Sequence, residues 1–294
     1  MNTKILFSVF VIAINVFSVL AQDSMDETIV IKGIPLKLIY VQGGTFMMGG
    51  TSEQKGATDK EKPVHKVTLS DYRITETEIT QELWQAVMGD NPSCEQRDTD
   101  PDYFNFILYI ANELMDLRNC QKSIIEQFLE FKGKDTSKYP VNCISYNDCQ
   151  LFIKKLNEIT GQHFRLPTEA QWEYAARGGR KSKSTLFSGS DKLEKVASVN
   201  YYPSYLYPVK SHKPNELGIY DMTGNVIEIC LDSHGKYSSD SQTNPLYQDN
   251  SNYIVLRGGI QLGANSSDID MRISNRMGFP YFCKSNIIGF RLTL

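Results

Sequence analysis

The chain has 294 residues, a formal net charge of −3 and a hydrophobic content of 41%. This composition supplies enough apolar side chains for a packed core and excludes a largely disordered protein. No Lys/Arg cluster with interleaved aromatic residues is present to neutralise a phosphate backbone, so we do not expect nucleic acid as a partner.

The first residues have the pattern of a signal peptide. Lys4 precedes an apolar run over residues 5–20, and the small residue Ala21 stands where a signal peptidase would cut. A membrane anchor is the competing interpretation, but the run is short and is interrupted by Asn15. We therefore expect residues 1–21 to be a signal peptide that is removed.

Export has consequences for the mature chain. No cysteine follows the cleavage site directly, which argues against a lipid anchor, and no second stretch is long and apolar enough to span a bilayer. We expect an exported protein, periplasmic, at the cell surface or secreted, with no transmembrane segment after cleavage.

The cysteine content is compatible with an exported protein, but it does not determine which cysteines form disulfides with each other. None of the spacings is Cys-x-x-Cys, so a zinc knuckle or a thioredoxin-like site is not indicated. We expect structural disulfides or buried thiols, with the connectivity left open. The six cysteines are Cys94, Cys120, Cys143, Cys149, Cys230 and Cys283.

Short apolar runs separated by pairs of glycines predict strands in the first part of the chain. The runs cover residues 36–41, 45–48 and 64–69, with turns at 43–44 and 49–50.

Two amphipathic segments predict helices with clear ends. Residues 80–88 carry an apolar stripe that Gly89 closes. A second helix begins at a capping box formed by Ser145 and Asp148 and stops at Gly161.

A third helix is predicted to begin at Thr168, whose hydroxyl can cap the first turn while Gln171 reaches back to the cap. After residues 178–179 the chain becomes rich in Gly, Ser, Asn and Tyr. We expect short regular elements and many loops there.

Residues 101–134 are predicted to form a helical insertion, with apolar residues at helical spacing. Cys94 lies before it and Cys120 within it. We hypothesise that a disulfide between them pins the insertion to the body.

No repeat or Pro/Ser-rich linker divides the mature chain. We predict one α+β domain over residues 36–294, preceded by an N-terminal segment over residues 22–35. Strands, helices and loops all contribute to it.

Four ordered groups of motifs carry a resemblance that covers nearly the whole mature chain. They are FMMG (46–49) with EKPVHKV (61–67) and TEIT (77–80); PVNCISYND (140–148) with RLPTEAQWEYAARGG (165–179); NELGIYDMTGNVIE (215–228); and RGG (257–259) with Arg272, Arg276 and GFR (289–291). In this order they resemble the formylglycine-generating-enzyme, or sulfatase-modifying-factor, family. The resemblance implies a single compact domain related to C-type lectins, with much irregular structure and bound calcium.

The residues of the second group are expected to have structural roles. Trp172 lies on a capped helix and is expected in the core, while Arg165 and Arg177 on either side are expected to pair with Glu169 or Glu173 or to bond loop carbonyls. The motif therefore indicates the fold and not the chemistry.

The third group matches a calcium site of the family. Asp221 and Glu228 offer carboxylate oxygens, and Gly224 and Val226 offer backbone carbonyls between them, which is the mixture that calcium prefers. The resemblance implies structural calcium at these four residues. The competing interpretation is a turn with solvated charges.

The family's oxidase chemistry depends on a serine and two cysteines that follow the RGG motif and bind copper(I). In this sequence Ile260, Gly263 and Asp268 occupy those three positions. Because copper(I) requires soft thiolate ligands, copper is not expected and no catalytic residue is assigned. A displaced pair would need Cys230 and Cys283 to converge on the old site.

These observations favour an exported, calcium-stabilised binding or scaffold domain of the cell envelope whose partner is a protein or a glycan. One alternative is a formylglycine-generating oxidase, or another oxidoreductase, acting on sulfatase-type cysteines. Another is a structural module that oligomerises through the insertion. Whether the protein is an enzyme stays open, and the replacement of the three copper-binding positions favours a non-enzyme.

Overall fold

Ten short strands, three α-helices and three single-turn 3₁₀ helices make up the regular structure in a computed structural model that describes residues 25–93, 135–198, 206–259 and 271–294. The helices are α1 (Gln81–Met88), α2 (Tyr146–Thr160) and α3 (Glu169–Ala176). The strands are β1 (Glu27–Ile31), β2 (Ile34–Val41), β3 (Gly44–Met48), β4 (His65–Leu69), β5 (Tyr72–Thr75), β6 (Ile227–Ser233), β7 (Gln242–Thr243), β8 (Tyr253–Arg257), β9 (Met277–Pro280) and β10 (Ile288–Gly289).

The strands form three small sheets within the described residues, ordered β1-β2-β5, β3-β4-β7 and β10-β6-β8-β9. Most neighbours are antiparallel, whereas β4 pairs with β7 and β6 with β10 in parallel. β2, β3 and β4 confirm the strands predicted from the apolar runs. The mixture of sheets and few helices confirms the α+β fold class.

The end of the chain closes the first sheet onto the body. Thr293 forms bridges with both Ile74 and Arg165. Arg73 and Leu294 exchange two backbone hydrogen bonds of 3.0 Å each. Distant parts of the sequence are therefore fastened at one place.

The capping predictions for α2 and α3 are confirmed. The side chain of Ser145 accepts from the Asp148 backbone N–H and that of Thr168 from Gln171, and both capping boxes are complete. α2 ends at Gly161, which has a left-handed φ of 68°. A left-handed residue at this position ends a helix with little steric cost only when it lacks a Cβ.

α1 is capped at both ends in a similar way. The Thr80 side chain accepts from the Leu83 N–H, and Gly89 ends the helix at φ 94°. Its buried face packs on α2, where the rings of Trp84 and Phe152 stack with centroids 5.1 Å apart. Phe290 meets Phe152 edge-on at 5.4 Å, so the chain end also enters this core.

Four buried Arg–Glu pairs link segments far apart in sequence. Every carboxylate and guanidinium in them has a side-chain exposure of 5% or less. Such pairs are short, charge-assisted hydrogen bonds whose geometry fixes both partners. The pairs are Glu61–Arg272 (2.5 Å), Glu169–Arg276 (2.7 Å), Glu173–Arg257 (2.5 Å) and Glu228–Arg291 (2.6 Å).

The core role expected for Trp172 is confirmed, because its side chain is fully buried. Arg177 pairs with Glu173 at 2.8 Å, as predicted. For Arg165 the second expected alternative is confirmed, because its guanidinium donates to the loop carbonyl of Leu166 at 3.0 Å, and it also donates to Gln171 Oε1 at 2.8 Å.

Several predictions fall on residues outside the described ranges. These are the signal peptide (1–21), the helical insertion (101–134) and the disulfide between Cys94 and Cys120, and all three stay predictions. Over the described ranges, no helix combines the length and apolar character needed to cross a membrane.

The pair between Glu61 and Arg272 generates a stability prediction. Arg272→Met leaves the Glu61 carboxylate buried without its cation, and we expect the free energy of unfolding to fall by about 3–5 kcal/mol. Urea unfolding followed by circular dichroism measures this.

The matched control is Arg73→Met, whose pair with Glu27 has a distance of 3.5 Å and side chains 35% and 40% exposed. Its loss should be below about 1 kcal/mol, because water screens exposed pairs. Equal losses in the two variants would contradict the account.

Candidate functional site

The turn that leads into β6 holds the four residues predicted to bind calcium, and we call residues 221–228 the acidic turn. Asp221, Gly224 and Asn225 have left-handed φ values of 58°, 80° and 61°. The left-handed φ of Gly224 favours glycine, and a Cβ there would lie 2.6 Å from the end of the Met271 side chain and 3.3 Å from the Ala197 Cβ. The backbone therefore reverses tightly between the two acids.

Glu228 lies on β6 and is 1% exposed. Its Oε2 accepts from Arg291 Nε at 2.6 Å and from Trp172 Nε1 at 2.7 Å, and its Oε1 accepts from Arg291 Nη2 at 2.7 Å. Both oxygens are thus used inside the protein. The role of Glu228 as a calcium ligand stays a prediction, and a cation there would compete with Arg291.

Asp221 is buried, and its Oδ2 accepts from the Lys210 backbone N–H at 2.8 Å. Burial raises the pKa of Asp221 to about 6, and the Glu228 carboxylate also raises it. The fold therefore penalises the negative charge of Asp221.

Glu78 is a third acid at the acidic turn, and this role was not predicted from the sequence, where Glu78 appears only as part of the TEIT motif. Its carboxylate accepts from Val226 N at 3.2 Å and from Asn225 Nδ2 at 2.8 Å. Burial raises the pKa of Glu78 well above its usual range, and Asp221 and Glu228 add to the effect. It fastens the segment before α1 to the acidic turn.

These observations test whether a hard cation fits. In the described ranges, no three His, Cys, Asp or Glu side chains are grouped to hold a metal ion. A calcium shell at the acidic turn would therefore depend on Asp221 together with backbone carbonyls, which calcium accepts as ligands. Since burial opposes the charges of Asp221 and Glu78, a bound cation would relieve that cost, and calcium at this turn stays a prediction.

Asp232, four positions after Glu228 on β6, supports a different part of the fold. Its Oδ2 accepts from Glu169 N at 2.7 Å, at the start of α3, and its Oδ1 accepts from Tyr247 N at 3.0 Å. Burial raises the pKa of Asp232 to about 7, and the neighbouring Glu169 carboxylate also raises it.

The described cysteines in the core have no catalytic environment. Cys149 on α2 and Cys230 on β6 are fully buried thiols, and burial raises the pKa of both well above the usual range. A reactive thiol instead needs exposure and a lowered pKa.

The three positions that replace the copper site cannot be placed in the fold, since Ile260, Gly263 and Asp268 lie outside the described residues. Their identities come from the sequence alone. The first glycine of the preceding RGG motif, Gly258, is described, and its carbonyl accepts from Gly224 N at 3.0 Å. The segment before these positions is thus joined to the acidic turn.

A model of the sulfatase-modifying factor enzyme 1-like domain matches residues 32–294. A solved structure, Treponema denticola variable protein 1, superposes with a TM-score of 0.69 at 25% identity, covering 91% of this chain and 98% of that one. Both findings confirm the resemblance predicted from the motifs.

Relatives of this chain are named for different functions. The chaperone protein LppX of Paenibacillus barcinonensis is 32% identical over 79% of this chain and 81% of its own length. The formylglycine-generating enzyme of Streptomyces coelicolor is 27% identical over 86% and 87%. The serine/threonine-protein kinase pkn1 of Chlamydia pneumoniae is also 27% identical, but the chain spans only 37% of its length.

The raised pKa of Asp232 predicts a pH dependence. The native state binds this proton more tightly than the unfolded chain, so the favourable contribution of Asp232 is complete below pH 3.8 and is lost as pH rises through about 7. We expect the stability of the wild type relative to Asp232→Asn to fall by about 4 kcal/mol across this window.

Urea unfolding of both proteins at intervals from pH 4 to pH 8 measures the difference. Comparing the two proteins at each pH cancels the contributions of other titrating groups. Stability curves that run parallel through the window would show that the native pKa of Asp232 is not raised.

Proposed function

Because the chain belongs to the sulfatase-modifying factor enzyme 1-like family, we propose that it is a binding or scaffold domain of the cell envelope without formylglycine-generating activity. The observation that carries the proposal is the replacement of the copper-binding positions by Ile260, Gly263 and Asp268. None of these side chains supplies the thiolate that copper(I) requires.

Buried thiols support the same conclusion. Cys230 is fully buried among apolar residues on β6, the central strand next to β8 and β10. A displaced copper site would require this thiol to ionise and leave the core, which its raised pKa and its packing both oppose. Cys230 therefore does not restore the missing pair.

The named relatives support a binding role. A chaperone acts on other proteins by contact, and the relative with that name covers most of this chain at 32% identity. The identity with a formylglycine-generating enzyme is lower, at 27%. We infer that the partner is a protein or a glycan, met after export, and the oxidase remains the alternative that the experiment below tests.

Calcium is part of the proposal as a structural ion. Asp221, Glu228 and the backbone carbonyls of Gly224 and Val226 would hold it, with the Glu78 carboxyl group beside them, and the cation would compete with Arg291 for Glu228. It would neutralise buried carboxylates and fix the reversal of the chain before β6.

Calcium addition gives a direct test of this part. At a concentration 100 times the dissociation constant, binding to the native state alone adds about 2.7 kcal/mol of stability. We expect calcium to raise the thermal unfolding midpoint of the EDTA-treated wild type.

Asp221→Asn removes a proposed ligand charge and should abolish the response, whereas Asp240→Asn, an exposed acid outside the acidic turn, should leave it intact. An unchanged midpoint in the wild type, or the same shift in Asp221→Asn, would refute calcium binding at this turn.

The absence of oxidase activity is tested with a peptide containing Cys-x-Pro-x-Arg, incubated with the full chain, copper and oxygen. We expect no formylglycine by mass spectrometry under conditions where the Streptomyces coelicolor enzyme converts the peptide. Formylglycine formed by this chain would overturn the proposed function in favour of the oxidase.

A further inference from the structure

A groove of about 480 Å³ lies on the side of β8 that faces the start of α2. Three tyrosines line it, and they come from three separate segments of the chain. Tyr146 is the first residue of α2, Tyr253 is the first residue of β8, and Tyr281 directly follows β9.

Hydrogen bonds hold the walls of this tyrosine groove together. Tyr146 N donates to the Tyr281 carbonyl at 3.1 Å, and Tyr281 N donates to the Asn252 carbonyl at 3.0 Å. The Asp249 N–H donates to Ser233 Oγ at 3.2 Å. The groove is therefore formed before any ligand arrives, which lowers the entropy lost on binding.

The polar lining consists mainly of groups that hydrogen-bond without carrying charge. Asn147, Gln248 and Asn250 bring side-chain amides, each able to donate and to accept. Asp249 is the only charged residue among the lining residues that the structure describes. The tyrosine groove thus offers aromatic surface beside neutral donors and acceptors.

The carboxylate of Asp249 has a fixed orientation. Its Oδ1 accepts from Ser251 N at 2.9 Å and its Oδ2 from Tyr247 Oη at 3.1 Å. Hydrogen bonding from Ser251 lowers the pKa of Asp249, so the group is ionised at neutral pH. A carboxylate has about four acceptor sites, which leaves capacity for donors on a ligand.

These features select the chemistry of the ligand. Phosphate, sulfate and acidic peptides are disfavoured, because Asp249 would repel them and no Lys or Arg is present among the described lining residues. A sugar ring presents C–H groups that pack on an aromatic face, and its hydroxyls both donate and accept. We propose that the tyrosine groove binds a neutral oligosaccharide, with a sugar ring on Tyr253 and hydroxyls bonded to Asp249 and the neighbouring amides.

A proline-rich peptide is the main competitor, since such peptides bind aromatic grooves. Proline has no N–H, so a polyproline segment would cover the Asp249 carboxylate without giving it donors. The hydroxyl groups of a saccharide would donate hydrogen bonds to this carboxylate. The observations therefore favour a saccharide, and this inference rests on the proposed binding function.

The test is isothermal titration of the full chain with four neutral hexasaccharides: maltohexaose, cellohexaose, laminarihexaose and hexa-N-acetylchitohexaose. We expect at least one to bind with a dissociation constant below about 1 mM. Tyr253→Ala should weaken that binding at least about tenfold by removing a central aromatic contact. Asp249→Asn should weaken it by removing one acceptor.

Met47→Ala is the matched control, because Met47 is 45% exposed, Tyr253 is 43% exposed, and Met47 lies on β3 outside the groove. Its affinity should equal that of the wild type. Thermal unfolding midpoints within about 2 °C of the wild type confirm that the variants are folded.

Three results would overturn the proposal: no hexasaccharide binds the folded chain, binding is unchanged in Tyr253→Ala, or decaproline binds through Tyr253 while the saccharides do not. The last result would assign the groove to a peptide. Each of them is separate from the formylglycine assay, so failure of this inference is distinguishable from failure of the proposed function.

Discussion

The rest of the structure depends on buried ion pairs between arginines and glutamates. Three of the four glutamates lie at Glu61 or on α3, before the last third of the chain, and all four arginines come from residues 257–291. Each pair therefore joins the final part of the chain to an earlier segment. Burying such charges is expensive, and removing one partner leaves the other charge without compensation.

This arrangement explains how a domain with short strands keeps its loops in place. Glu173 shows the principle, because its Oε1 accepts from Gly49 N at 2.9 Å and from Arg177 Nε at 2.8 Å, while its Oε2 accepts from Arg257. One carboxylate thus fixes a glycine turn, a helix end and the last residue of β8. Buried, hydrogen-bonded ion pairs therefore hold together a domain whose described strands are short.

The residues of these ion pairs are different from the residues that the family's oxidase chemistry needs. Glu169, Glu173 and Arg177 belong to the motif that identifies the family, and all three are used in buried contacts. These contacts are made by residues other than Ile260, Gly263 and Asp268, the positions that the resemblance assigns to copper binding. The family's fold can therefore be kept when those positions carry other residues, and the tyrosine groove is where we propose that this chain binds its ligand.

Local patterns predicted the local structure well. The capping boxes at Ser145 and Thr168, and the helix end at Gly161, follow from residues adjacent in sequence. Contacts between segments far apart in sequence were not predictable in this way. Glu78 accepts hydrogen bonds from Asn225 and Val226 of the acidic turn because packing brings these two distant segments together.

The tyrosine groove was missed for the same reason. Tyr146, Tyr253 and Tyr281 are far apart in sequence and form no motif, and only the folded chain brings them together. In contrast, Asp221 and Glu228 could be predicted as calcium ligands because they share one short segment, which resembles a calcium site of the family. The structure then showed what the segment could not, namely that Arg291 already holds Glu228.

The central claim is that buried ion pairs hold this fold, and a double-mutant cycle on Glu173 and Arg257 tests it most directly. The free energies of unfolding of Glu173→Gln, Arg257→Met and the double variant would be measured in urea. The account predicts a coupling energy of at least about 1.5 kcal/mol, the double variant losing less than the sum of the single losses. Losses that add to within about 0.5 kcal/mol would contradict it.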